Sequence, residues 1–248
     1  FSTGNLFLGQ TSGTVTILNN ADIDGTLTLG NISNVESAIN TNTTNISALS
    51  SSSVYSDDDK NTGIGTDVFN DNTSGSYNTA SGHQALYDNT SGNANSAVGY
   101  RSLYLNTTGS NNIALGYEAL YSNTTGSSNI AIGYGVMNTG TNTGQYNIGM
   151  GRYSMQNLTS GDHNIGIGAN TLDALTGADN NIAIGNSALG ANTTGTANTA
   201  MGQGAMQTTT TGSSNTAVGK DALYSNSGGG HNVAIGFNAA YENLASDV

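Results

Sequence analysis

Three histidines are the first side chains to question for chemistry: His83, His163 and His231. His163 and His231 occupy one column of the repeat described below but lie four units apart, about 19 Å at ordinary strand spacing. One chain cannot bring both to a metal, and three copies of the column would surround an ion only on a threefold axis. Asp162 and His163 look like a dyad on paper, yet neighbouring residues on a strand point to opposite faces. There is no G-x-S-x-G nucleophile elbow. The G-x-G pairs Gly133/Gly135, Gly149/Gly151, Gly166/Gly168 and Gly202/Gly204 lack the third glycine and the following helix of a dinucleotide site. The Asp-bearing calcium nonapeptide is also missing. The expectation is a protein that is not an enzyme and holds no metal.

The tyrosines are the better candidates. Tyr87, Tyr104, Tyr121, Tyr224 and Tyr241 share one column, and Tyr100, Tyr117 and Tyr134 share another in consecutive units. Each column is expected to form an aromatic ladder. Exposed rings can stack on sugars or contact a receptor; equally, they can cover apolar edges or a subunit seam. Both readings stay open at this point. Ladders of asparagine are expected to be stacked hydrogen bonds in place of a recognition surface. Triplets such as Asn106-Thr107-Thr108 and Asn123-Thr124-Thr125 are glycosylation acceptors only in a eukaryotic secretory setting.

What must position these side chains is a repeat. Units start at Asn61, Asn78, Asn95, Asn112, Asn129, Asn147, Asn164, Asn181, Asn198, Asn215 and Asn232; nine of the ten intervals are 17 residues and one, Asn129 to Asn147, is 18. A fixed period of this size marks a solenoid. The fifth residue is Gly in every unit, from Gly65 to Gly236, which calls for a backbone angle or a close approach that no side chain permits. The third is only Gly or Ala, and the second and fourth, such as Ile130 and Ile132, alternate about it with the period of a strand. A second apolar pair follows, as in Ala119-Leu120, and then a turn rich in Asn, Thr, Ser and Gly. The expected unit is strand, bend, short strand, turn, in an all-β chain.

Composition agrees. Only 8% of the 248 residues are charged and there is no Pro, Cys or Trp; without a period such a chain would read as disordered. With it, backbone ladders between neighbouring coils satisfy the amides, and proline would remove a ladder bond. Four basic residues against 16 acidic, a net charge of −12, argue against binding nucleic acid and against an anionic membrane surface. No apolar run approaches the roughly 18 residues of a membrane span. The chain starts at Phe1 without a signal-like segment and is expected to be a processed chain or a fragment.

Ahead of the solenoid, residues 1–30 hold three alternating runs, Asn5–Leu8, Thr14–Ile17 and Thr26–Leu29, read as strands shared with partner chains because one chain supplies too little apolar surface. Within 31–50 the period changes: Ile32, Ile39 and Ile46 are seven apart, with Val35, Asn42 and Leu49 interleaved. These are heptads of a short coiled coil, too short to stand alone. Asn42 at a core position would set register. Residues 51–60, ending Asp57-Asp58-Asp59-Lys60, read as a solvated junction, and 61–244 as the solenoid of eleven units.

The chain carries four resemblances to known families. Ile39-Asn40-Thr41-Asn42-Thr43-Thr44 resembles the I-x-x-N-T-x motif of trimeric autotransporter stalks, which implies a trimer and an anion held among three copies of Asn42. Asn129–Gly133 and Asn215–Gly219 resemble the head repeats of trimeric autotransporter adhesins of the YadA type, which form a trimeric, left-handed parallel β-roll. Residues 112–126 and 215–226 are equally similar to N-T-A-x-G-x-x-A-L-Y-x-N-T-T-G arrays of phage tail fibres. The final stretch, 245–248 with Leu244 before it, is similar to the junction with a self-cleaving intramolecular chaperone; this would place Ser246 and Asp247 about the scissile bond, though no chaperone is present and the chain runs past Asp247.

Eleven coils at about 4.8 Å give a rod of roughly 50 Å. The reading is a structural and adhesive segment of a homotrimeric fibre: a phage tail fibre on the virion, joined to other fibre proteins and attaching to a host surface glycan or receptor. The alternatives are a bacterial trimeric adhesin head on the cell surface and an ice-binding solenoid. Against the latter, threonines crowd turns such as Thr208–Thr211 and do not recur as a Thr-x-Thr strand column.

Overall fold

Alternation about a small third residue leaves open which face turns inward; packing at strand spacing decides it. The computed structural model describes residues 54–242 apart from Ser227. The expected N-terminal strands, the coiled coil with its Asn42 anion, and the Ser246–Asp247 junction lie outside these residues.

Each of the eleven units gives one three-residue strand, and a further strand precedes the first unit. They are β1 (Val54–Ser56), β2 (Thr62–Ile64), β3 (Thr79–Ser81), β4 (Ser96–Val98), β5 (Ile113–Leu115), β6 (Ile130–Ile132), β7 (Ile148–Met150), β8 (Ile165–Ile167), β9 (Ile182–Ile184), β10 (Thr199–Met201), β11 (Thr216–Val218) and β12 (Val233–Ile235). They form one sheet in sequence order. β1 is antiparallel to β2 and closes the first edge; every later neighbour is parallel, with Ala114 opposite Ala131 and Ile113 opposite Ile130. The chain is thus an all-β parallel solenoid of about ten turns with coils of about 17 residues, as the period requires. No helix occurs among the described residues. The 18-residue interval is absorbed outside the sheet, since Ile130 still faces Ile148.

The small third residue points inward. Ala97, Ala114, Ala131 and Ala183 are fully buried or nearly so, and the large side chain nine places into the unit (Leu86, Leu103, Leu120, Met137, Met155, Leu172, Leu189, Met206, Leu223) fills the rest of the core. Gly149 and Gly166 stand where an alanine would not fit: a Cβ on Gly149 would lie 2.6 Å from Val136 Cγ1, and one on Gly166 would lie 2.6 Å from Ser154 Oγ and 2.9 Å from Thr171 Oγ1.

The expected second strand does not form. The seventh and ninth residues are left-handed, as at Arg101 and Leu103 (both φ 52) or Ser187 and Leu189 (φ 56 and 51), and so is the residue before each Asn, such as Asn111 (φ 60) and His163 (φ 57). Such φ values bend the chain away from strand geometry and cost roughly 1–2 kcal/mol each in non-glycine residues. The ladder offsets them, because the amides still reach the next coil, Leu103 N–H donating to the Ala119 carbonyl at 3.0 Å and Leu105 N–H to that of Tyr121 at 3.0 Å.

Two buried asparagine ladders run through the core. Asn112 N–H donates to Asn95 Oδ1 (3.0 Å), its Nδ2 donates to the Gly126 carbonyl (2.9 Å), and its Oδ1 accepts Asn129 N–H (2.9 Å). The second ladder joins Asn72, Asn89, Asn106 and Asn123 through Nδ2 to Oδ1 bonds of 2.7–2.8 Å. It stops at the long coil, where Asn142 turns its Oδ1 to Gly144 N–H (2.9 Å), leaving Asn123 Oδ1 without a partner. In the next two coils Leu158 and Leu175 take that place, both fully buried.

Candidate functional site

A residue on an outward column of a solenoid repeats every coil at about strand spacing, so like side chains become ladders without further design. Tyr87, Tyr104 and Tyr121 stack with centroids 5.1 and 5.2 Å apart and planes 17° and 4° from parallel. Tyr100, Tyr117 and Tyr134 stack at 5.0 Å and 5.0 Å, 15° and 6° from parallel. Tyr224 and Tyr241 stack at 4.9 Å. The faces of Tyr104 and Tyr117 are covered on both sides by neighbouring rings, so ring edges remain to meet a partner along the ladders' interiors. Full faces are left only at ladder ends.

Arg101 joins the two columns. Its guanidinium carbon lies 5.0 Å from the Tyr100 centroid and 5.3 Å from that of Tyr104, and its Nε donates to Gln84 Oε1 at 2.8 Å. His83 extends one column (5.6 Å from Tyr100, tilted) and Tyr153 ends it edge-on to Tyr134 at 5.4 Å. The hydroxyls of Tyr104, Tyr117 and Tyr134 hold their protons more firmly than free phenols. For Tyr104 the first cause is burial, then the charges of Asp88, Tyr87 and Tyr121, with Arg101 opposing. For Tyr117 it is desolvation and then Glu118; for Tyr134 it is the hydrogen bond and charge of Tyr153. These three phenols stand beside the Arg101 guanidinium and the Asp88 and Glu118 carboxylates. This is hydrogen-bonding chemistry suited to an uncharged polar surface.

The histidines do not converge. His163 stacks on Tyr146 at 5.0 Å, and Asp162 Oδ1 accepts the Gln145 N–H at 2.7 Å, which gives that carboxylate a structural task. Among the described residues no group of three His, Cys, Asp or Glu could hold a metal, and no helix is long and apolar enough to cross a membrane.

Sequence reasoning did not single out a second outward feature. With the third residue inward, the second and fourth face out: Ile113 and Leu115 are 44% and 45% exposed, and Ile64, Val98, Met150, Ile167, Met201, Val233 and Ile235 are exposed with them. The result is a two-column apolar strip over β5 to β9, narrowing to the fourth-residue column in β2, β4, β10 and β11. The alternation of Ile130-Ala131-Ile132 carried the signal, but only the tight coil interior, which admits nothing larger than Ala there, says which side is solvent.

No family model, curated protein or solved structure matches the chain.

Proposed function

We propose that this chain is a structural and adhesive segment of a homotrimeric fibre, serving as part of a phage tail fibre on the virion and attaching to a host surface glycan or receptor. The observation that carries the reading is the apolar strip on the outward face of the sheet, two columns wide and unbroken from Ile113 to Ile184. Several hundred Å² of contiguous apolar surface on one face is characteristic of an interaction site. Three copies turning this face to a common axis would bury it and leave the tyrosine columns outward. The threefold order comes from the resemblance to trimeric fibres and adhesin heads. The bacterial adhesin head is the alternative with the same physics and a different carrier.

The ice-binding reading is disfavoured by the threonines. A column of them does exist at the turn, but Thr73, Thr90 and Thr107 hydroxyls donate to the carbonyls of Thr90, Thr107 and Thr124 at 2.8–2.9 Å, so their protons serve the ladder.

The test is the double substitution Ile130→Glu with Ile165→Glu. Both side chains lie on the strip outside the coil interior, so the variant should keep its β spectrum while a trimer dissociates to single chains. A trimer of unchanged stability would remove the strip from the interface.

A further inference from the structure

One outward column changes character along the rod. Taken at the tenth residue of each unit it reads Asn70, Tyr87, Tyr104, Tyr121, Asn138, Gln156, Asp173, Gly190, Gln207, Tyr224, Tyr241. Gly190 is the one member without a side chain, and its neighbour Ala191 is small. Above them opens a cleft of about 520 Å³ bounded by Asp173 and Asn170 on one side and Gln207 and Thr208 on the other. The volume falls in the range of small-molecule sites, but the lining is polar where most such sites are apolar.

The groups around it are poised for hydroxyls. Thr208 Oγ1 is engaged with the Tyr224 carbonyl at 2.8 Å and Ser187 Oγ with Asn186 Oδ1 at 3.1 Å. The side-chain amides of Asn170 and Gln207 make no hydrogen bond to the described residues. Asp173 Oδ1 lies over the glycine floor, 3.3 Å from where a Cβ on Gly190 would stand. A carboxylate accepts from two hydroxyls, and each amide both donates and accepts. The removed side chain leaves a gap of about two strand spacings, roughly 10 Å, between the Asp173 and Gln207 coils. The net charge of −12 disfavours an acidic ligand.

We infer that this cleft is a subsite for one uncharged saccharide residue of a surface polysaccharide. The inference rests on the adhesive reading above and gives it a ligand class and an address. Asp173 and the Asn170 and Gln207 amides bind the ring hydroxyls.

The experiment is binding of the intact protein to an immobilised set of purified bacterial O-polysaccharides and capsular polysaccharides. Gly190→Tyr refills the cleft with the side chain that the same column carries in five other coils, and Gly190 has no left-handed φ to forbid it. Asp173→Asn keeps the shape and removes the charge. The expected result is binding by the wild type to at least one neutral polysaccharide, reduced tenfold or more by Gly190→Tyr and severalfold by Asp173→Asn, with the circular dichroism of both variants unchanged. Wild-type binding that both variants retain in full would overturn the cleft while leaving adhesion intact. Binding by the wild type to none of the set would overturn the adhesive reading and the cleft together. If Gly190→Tyr alone failed to fold, full retention by Asp173→Asn and by Gln207→Ala would be the overturning result.

Discussion

The inward and outward columns of the same coils obey different rules. Inward, the first residue is Asn eleven times, the third only Ala or Gly, and the fifth Gly eleven times. Outward, the tenth residue passes from Tyr through Asp to Gly and back to Tyr. The inward residues answer to the next coil at one strand spacing, where each side chain meets its own repeat. The outward residues answer to solvent and to partners, so the column that tolerates change is where the aromatic patch and the cleft are found.

The sharpest way to break the comparison is at the fifth residue. Gly116 has φ 139, and a Cβ there would press into the carbonyl of Gly133. Gly116→Ala should cost about 3 kcal/mol or more, seen as a lower urea midpoint, whereas Ala substitution at the outward Tyr104 should cost far less.

The two asparagine ladders come next. Asn112→Leu strands the buried N–H of Asn129 and should cost about 2–4 kcal/mol, the loss of a hydrogen bond plus an unsatisfied donor. Asn106→Leu should cost about half as much, because its ladder carries no backbone amide and the chain itself places Leu158 and Leu175 in that column. Equal losses would show that the two ladders do the same work.

Alkali sets a smaller effect on the outward face. Tyr104, Tyr117 and Tyr134 have raised pKa values, so the folded chain holds their protons more tightly than the unfolded one. Stability is then full below the ordinary tyrosine value of 10.0 and falls as pH rises through the raised values. Phenolate absorbance should lag behind that of the denatured chain. Replacing all three with Phe should flatten the decline.

The smallest effect is at a left-handed corner. Ala197 has φ 57, and Ala197→Gly should stabilise by about 0.5 kcal/mol, the relief of left-handed strain less the extra entropy of an unfolded glycine.

The period, the strand at Ile113–Leu115 and the need for Gly at 116 were legible because they repeat and because each has one physical cause. The second strand was misread: Ala119-Leu120 is an apolar pair that suggests a short strand, but Leu120 is left-handed at φ 52, a conformation its residue type does not advertise. The break in the Asn72–Asn123 ladder was legible only as one interval of 18 residues. The tyrosine columns were readable as columns; the guanidinium that joins them was not, since Arg101 is one residue of one coil. The cleft is written as the missing tyrosine at 190, visible only once the column is known to face outward.

The most direct test of the fibre account is the solution mass of the intact 25.0 kDa chain by light scattering over a wide dilution range. The account predicts three times the chain mass, held on dilution, and a single-chain mass for the Ile130→Glu, Ile165→Glu variant. A wild-type protein that scatters as one chain at every concentration would contradict it.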